Sequence, residues 1–391
     1  MITRTLAITG CLLGAPVTVV SAQAEFEKSA DFLLIRRDHR VEPIRPAQIN
    51  ERELIHLDPA YGWVTVDLTD CVAILDPAAT TAGRHKGLLR LADGQVFPGE
   101  ALSGAQPDDD VLVWNHAWLG RMEVPLDRIM AVAFVEGATP APRADADVLL
   151  LANGDRLEGF VVALGDPISI EVQTDDRPQI IEIPLELAAS VTMVTNRQRP
   201  AGWRVWLTDG TVLEVVRILL GDGDLVRLVG TRFVGDRELD PLPLSELAAA
   251  LFDPDGMIPF ALLSPVKVTG PPTRYVVPQP QALDESAALG MSRIELRGPL
   301  TADYALPPGG WYFRAEAQLA RAARGWGDCE LVIRDDRAEL FRVRLNAENP
   351  AASIGITVHG TRLTIEITEG STGPIQDHVV LSRAMLLRSD Q

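Results

Sequence analysis

Lysine is almost missing from this chain of 391 residues: Lys28, Lys86 and Lys267 are the whole supply, and arginine carries nearly all the positive charge. Positive charge itself is short, with 36 basic residues against 54 acidic ones and a net charge of −18. A surface of that sign repels phosphate backbones and anionic lipid, which argues against nucleic acid as a partner. The deficit is uneven. From Glu285 onward 12 arginines balance 14 acids, a net of −2, so the preceding part holds 24 basic and 40 acidic residues, a net of −16. The bias reads as a solvated acidic surface on the first two thirds of the chain.

Cysteine is equally scarce. Of three, Cys11 falls in the N-terminal segment, and Cys71 and Cys329 lie too far apart to make a disulfide framework. Both sit in strand-like apolar runs and read as separate buried thiols. The six histidines are scattered, none at metal-ligand spacing, so neither a structural zinc nor any other cofactor is expected. There is no Gly-x-Ser-x-Gly, phosphate loop or His-Glu-x-x-His. Asp253-Pro254-Asp255-Gly256 opens like a calcium loop but lacks the third ligand and the closing Glu, and reads as a plain turn. These absences point to a non-catalytic protein.

Long apolar runs are confined to the N-terminus. Arg4 followed by uncharged Thr5 to Val20 and the small-x-small Ala22-Gln23-Ala24 predict an export signal over residues 1–24. Ile8-Thr9-Gly10-Cys11 also fits the lipoprotein consensus. Too few residues precede Cys11 for a normal apolar region, so simple export to the periplasm or beyond is the favoured expectation over lipid anchoring at Cys11. No other stretch approaches the length of a transmembrane span.

What the chain does have is repetition. Leu91-Ala92-Asp93-Gly94 is echoed by Leu151-Ala152-Asn153-Gly154 and Leu207-Thr208-Asp209-Gly210. Each is followed by a second phrase: Val124-Pro125-Leu126-Asp127, Ile183-Pro184-Leu185-Glu186 and Leu242-Pro243-Leu244-Ser245. Such periods mark arrays of one supersecondary unit. Units are predicted at 86–135, 147–195 and 202–253, with a degenerate copy at 31–76 running from Arg37-Asp38-His39 to Val66-Asp67-Leu68-Thr69. Asp93-Gly94 reads as a favoured hairpin turn. Five short strands with one helical turn before the last resemble an Sm-like small β-barrel. In the last unit that turn is expected to lengthen into a helix from Ser245 to Leu251. The tryptophans at 114, 118, 203 and 206 are expected to pack within these barrels.

Residues 254–280, dense in proline, are predicted to be an extended linker. Residues 281–391 then present seven or eight strand-like runs with almost no helix, predicting a β-sandwich jelly roll and an all-β chain throughout. Ala288-Leu289-Gly290-Met291-Ser292, Tyr304-Ala305-Leu306-Pro307, Trp311-Tyr312-Phe313-Arg314-Ala315, Cys329 to Asp336, Ile356 to Leu363 and Asp377-His378-Val379-Val380-Leu381 follow in order. This region resembles the NPCBM (novel putative carbohydrate-binding module) domains of the galactose-binding-like superfamily. It departs where a strand pair usually turns on Asp-Gly, since Asp336-Arg337 stands there.

The resemblance implies a jelly roll that binds carbohydrate. Sugar sites pair an aromatic face with Arg and Asp hydrogen-bonding groups. Arg324, Trp326 and Asp328, in a loop with glycines on both sides of the tryptophan, are the candidate ligand-binding residues. The expectation favoured for Trp326 over this is that it closes one end of the sandwich core. Trp311 and Tyr312, adjacent in a strand, must point to opposite faces. The leading functional expectation is binding of carbohydrate or cell-surface glycan through the jelly roll. The alternative is a structural or assembly protein using repeats and jelly roll for protein–protein contacts.

Overall fold

The computed structural model describes residues 32–58, 60–81, 85–102, 110–142, 144–173, 177–196, 198, 202–221, 223–231, 239–271, 276–284, 287–371, 373 and 376–389. The expected export signal and Cys11 lie outside the described residues. Among those described, every regular element is a β-strand or a single 3-10 turn. All strand pairings between these elements are antiparallel, and they form sheets of 21, 6 and 5 strands. The all-β expectation agrees with this.

Four units share one plan, at residues 32–75, 87–133, 147–192 and 203–251. In the first three, strands pair in the order five, one, two, three, four; in the fourth the second strand is interrupted, Val212–Val215 pairing with the first strand and Arg217–Gly221 with the third. The second strand is shared between two sheets. Arg156–Leu164, for instance, pairs through its first half with Asp147–Leu151 and through its second half with Ile168–Gln173. No pairing among the described residues closes a unit into a complete barrel.

The repeated phrases are the two halves of one contact. In the second unit the Gly94 amide donates to the Leu91 carbonyl (3.0 Å), and the Asp93 carboxylate accepts from the Gln95 amide (3.1 Å). Between them, the Ala92 amide donates to the carbonyl of Arg128, the end of the 3-10 turn that follows Pro125 (2.8 Å). The third unit repeats this with Ala152 to Leu187 (2.8 Å), the fourth with Thr208 to Glu246 (3.0 Å) and the first with Arg37 to Asp70 (3.0 Å). The hairpin therefore differs from the two-residue type that Asp-Gly suggests: only the glycine is left-handed, at φ 82° for Gly94 and 93° for Gly154. This is a type I turn closed by a left-handed bulge residue. In the first unit His39 takes that position at φ 69°, so the copy that looks degenerate in sequence keeps the same backbone.

The fifth strands join the units in pairs. Cys71–Leu75 lies against Leu247–Leu251, and Ile129–Ala133 against Ala188–Thr192. Each fifth strand thus has partners on both edges, its own first strand being the other. That corrects the expected helix at Ser245 to Leu251. Only Leu244–Glu246 is a 3-10 turn, and Leu247–Leu251 is a fully buried strand. Leu-Ala-Ala-Ala-Leu favours a helix intrinsically, but a central slot with two strand neighbours overrides propensity.

The last region is a two-layer sandwich. One sheet runs Gln281–Ala282, Ile294–Arg297, His378–Ser389, Gly310–Leu319, Ala351–Val358; the other runs Lys267–Thr269, Leu300–Ala305, Arg362–Glu369, Cys329–Asp335, Glu339–Leu345. The proline-rich stretch is not a free spacer. Met257–Pro259 pairs with the end of His378–Ser389, and Lys267–Thr269 edges the opposite sheet. Phe260 is fully buried against Tyr304 and Phe313, with ring centroids 4.5 and 5.0 Å away. Prolines fit here because edge strands leave one row of amides unpaired.

Sandwich and repeats are packed together. A shared cluster includes Val72, Ala248, Trp206, Met257, Leu289 and Met385. His39 stacks flat on Tyr312 at 4.5 Å and its Nε2 lies 3.2 Å from the Arg388 carbonyl oxygen. Arg37 meets Asp253 at 2.7 Å. Trp311, the neighbour of Tyr312, is buried on the other face with its indole N–H on the Pro307 carbonyl (2.9 Å). Trp114 is buried and Trp118 and Trp203 half-buried within the repeats, whereas Trp206, expected there too, is buried at the junction with the sandwich.

Candidate functional site

The candidate loop, residues 320–328, joins the central strand Gly310–Leu319 to Cys329–Asp335 and so crosses from one sheet to the other. Its shape is set by backbone bonds. The Ala320 amide donates to the His378 carbonyl (2.8 Å), and the Ala323 carbonyl accepts from the amides of Trp326 (3.2 Å) and Gly327 (2.7 Å). Ala323 plugs into the protein, while Trp326 stands 74% exposed. The expectation that Trp326 closes the core is therefore not met. Ala323 takes the buried place in the loop.

Arg324 lies beside the tryptophan, on the surface, with Nη2 donating to Gln318 Oε1 (3.1 Å). Asp328 is placed differently. It is buried, and Arg344 grips it with Nε to Oδ1 and Nη2 to Oδ2, both at 2.7 Å. The Ser371 amide (2.8 Å) and hydroxyl (2.5 Å) donate to Oδ2 as well. These donors, the Arg344 and Ser371 side chains first, hold the carboxyl well below the usual carboxylate range. Both oxygens are committed, so Asp328 fixes the base of the loop and Trp326 and Arg324 are the two that face solvent. Arg344 and Ser371 have no mark in the sequence: the first reads as one more outward residue of an alternating strand, the second as a loop serine.

Under the same loop lies Asp377. It has no exposed surface, and no well-formed hydrogen bond reaches either carboxylate oxygen. Burial raises its carboxyl to about 6; the amide of Asp328 acts against that, and the charges of Asp328 and Glu369 add to it. Its carbonyl accepts from Gly298 (2.8 Å), and Gln376 just before it sits at φ 61°. The two cysteines, Cys71 and Cys329, are free and buried, with thiols pushed up to about 12 by burial. Among the described residues no group of three or more His, Cys, Asp or Glu is placed to hold a metal ion. Also among them, no helix is long and apolar enough to cross a membrane.

A second exposed aromatic pair escaped the sequence reading. Tyr61 and Trp63, 84% and 67% exposed, sit at the hairpin between Glu53–Asp58 and Gly62–Asp67 in the first unit.

The chain matches no protein-family model, and no curated protein matches it in sequence. Several solved structures are similar in part, carbohydrate-binding modules and insecticidal delta-endotoxins among them. One is CBM51 from Clostridium perfringens GH95 in complex with methyl-galactose, 12% identical, covering 33% of this chain and 99% of that one, with a TM-score of 0.27. Another is CBM51-2 in complex with GlcNAc and INT domains from Clostridium perfringens ZmpB, 11% identical over 44% of this chain and 37% of that one, TM-score 0.28. A third is TmCBM61 in complex with beta-1,4-galactotriose, 18% identical over 32% and 88%, TM-score 0.21.

Proposed function

We propose that this chain is an exported, non-catalytic protein that binds carbohydrate through the loop at residues 320–328, with the four repeats as a rigid platform. The observation that carries the reading is Trp326, exposed on a loop whose base is locked by the Asp328–Arg344–Ser371 clamp. An exposed indole offers a flat apolar face to the C–H face of a sugar ring. Arg324 supplies donors for ring hydroxyls beside it. This extends the resemblance of residues 281–391 to NPCBM domains, and of the repeats to Sm-like units, into a function. The test is a glycan array probed with the full chain and with Trp326→Ala. Binding that disappears in a folded Trp326→Ala protein supports the proposal, and absence of any glycan binding by the unaltered chain overturns it.

The second reading, assembly through protein–protein contacts, draws on Tyr61 and Trp63. Exposed aromatics of this kind are typical anchors of a protein interface. Tyr61→Ser with Trp63→Ser would then abolish co-purification of a partner and leave glycan binding untouched.

A further inference from the structure

A cavity of about 510 Å³ lies where the second and fourth units meet the sandwich. The two units contribute to it from matching positions. The first strand of the second unit offers Leu88 and Arg90; the first strand of the fourth offers Arg204 and Trp206 at the equivalent places. Val96 and Val212, one from each second strand, pair directly and belong to the same wall. The glycines of the two repeated turns, Gly94 and Gly210, also line it. A Cβ on Gly94 would stand 3.0 Å from Arg204 Nη1, and one on Gly210 would stand 3.0 Å from the Thr81 carbonyl and 3.6 Å from His85 Nε2. The glycine of the repeated phrase thus makes room for Arg204 at one turn and for the Thr81 carbonyl and His85 at the other. Met257, Leu262 and Leu289 complete the cavity from the sandwich side.

Its chemistry runs against that of the chain. In a protein of net charge −18, the titratable groups among the described lining residues are His85, Arg90 and Arg204, with no acid. Arg90 Nε, Arg204 Nε and His85 Nε2 are buried without a hydrogen-bond partner. Arg204 spends one terminal nitrogen on the Asp93 carbonyl. Asp93 and Glu214 act on Arg204 from outside the lining, and the Asp93 carboxylate is already taken by Arg128 and Gln95, both at 2.9 Å. Two half-buried guanidinium groups in a largely apolar wall are an arrangement that an anion completes, since a charge-assisted bond there is worth more than in water. The volume falls within the range of small-molecule sites.

We infer that this cavity is a binding site for a small organic anion, a carboxylate on an apolar body, with Arg90, Arg204 and His85 around the carboxylate and Trp206 and Leu88 against the body. The site is separate from the loop around Trp326 and does not depend on it. The probe is 1-naphthoate, titrated into the full chain by calorimetry beside its neutral counterpart 1-naphthalenemethanol and inorganic phosphate. Naphthoate should bind about tenfold or more tightly than the alcohol, the discrimination of one charge-assisted contact, and phosphate should not displace it. Arg90→Gln and His85→Gln should each weaken naphthoate about tenfold with the circular dichroism spectrum unchanged. Equal binding of acid and alcohol on the unaltered chain overturns the inference whatever the variants do. So do displacement by phosphate, or no binding of naphthoate at all.

Discussion

Asp377→Asn isolates the buried carboxylate beneath the candidate loop. The parent carboxyl stands at about 6 when folded against an ordinary value of 3.8. Between those two values the folded protein holds a proton that the unfolded chain has released, so folding stability falls as pH rises through that window and levels off above it. A displacement of roughly two pH units corresponds to about 3 kcal/mol once both states are ionised. Around half of that, about 1.5 kcal/mol, accrues between roughly pH 5 and pH 8. Asparagine is neutral throughout and nearly the same shape, so its offset from unmade hydrogen bonds is constant and cancels when the pH is changed. Denaturant unfolding of both proteins, followed by circular dichroism, reads the gap. The variant should gain on the parent by about 1.5 kcal/mol on going from near pH 5 to near pH 8. A gap that does not move with pH refutes the argument, and with it the claim that burial holds the Asp377 carboxyl above its ordinary range.

Two further substitutions probe the frame. At His39 the left-handed backbone and the stack on Tyr312 oppose each other. His39→Ala loses the stack and keeps the strain, while His39→Gly loses the stack and relieves it, so the glycine variant should be more stable by about 1 kcal/mol in denaturant unfolding. An alanine variant as stable as the glycine one would contradict a strained turn. Phe260→Ala should cost about 3–5 kcal/mol, as expected of a fully buried aromatic. An unchanged unfolding curve would return residues 254–280 to the status of a spacer.

The strand content and the repeat were legible because half-buried strands alternate and because turn chemistry is local. Leu-Ala-Asp-Gly can be recognised from four residues alone. Its purpose could not be read that way: the Ala92 amide meets the carbonyl of Arg128, and no spacing rule says that these two phrases touch. The first unit looked degenerate because His39 replaces glycine and Asp67 replaces the proline before the 3-10 turn. Yet His39 accepts the left-handed φ, and the Asp67 side chain caps the turn by accepting from Thr69.

The errors share one cause. Leu247–Leu251 read as helix and residues 254–280 as linker because both judgements used local preference, and both segments are placed by distant strands. The candidate site divided along the same line. The flanking glycines of Trp326 allowed for exposure, but its size favoured a place in the core, and Asp328 looked like a ligand group until Arg344 and Ser371, 16 and 43 residues away, closed on it. The cavity between the second and fourth units was invisible, because its cations are contributed one by one from strands that only the fold brings together.

The central claim is that the exposed indole at residue 326 recognises carbohydrate, and its most direct test is the glycan array with the full chain and Trp326→Ala. The account predicts binding to at least one glycan by the parent, loss of that signal by at least about tenfold in the variant, and an unchanged unfolding curve, since an exposed side chain contributes little to the core. Retained binding in Trp326→Ala, or a variant that fails to fold, would contradict it.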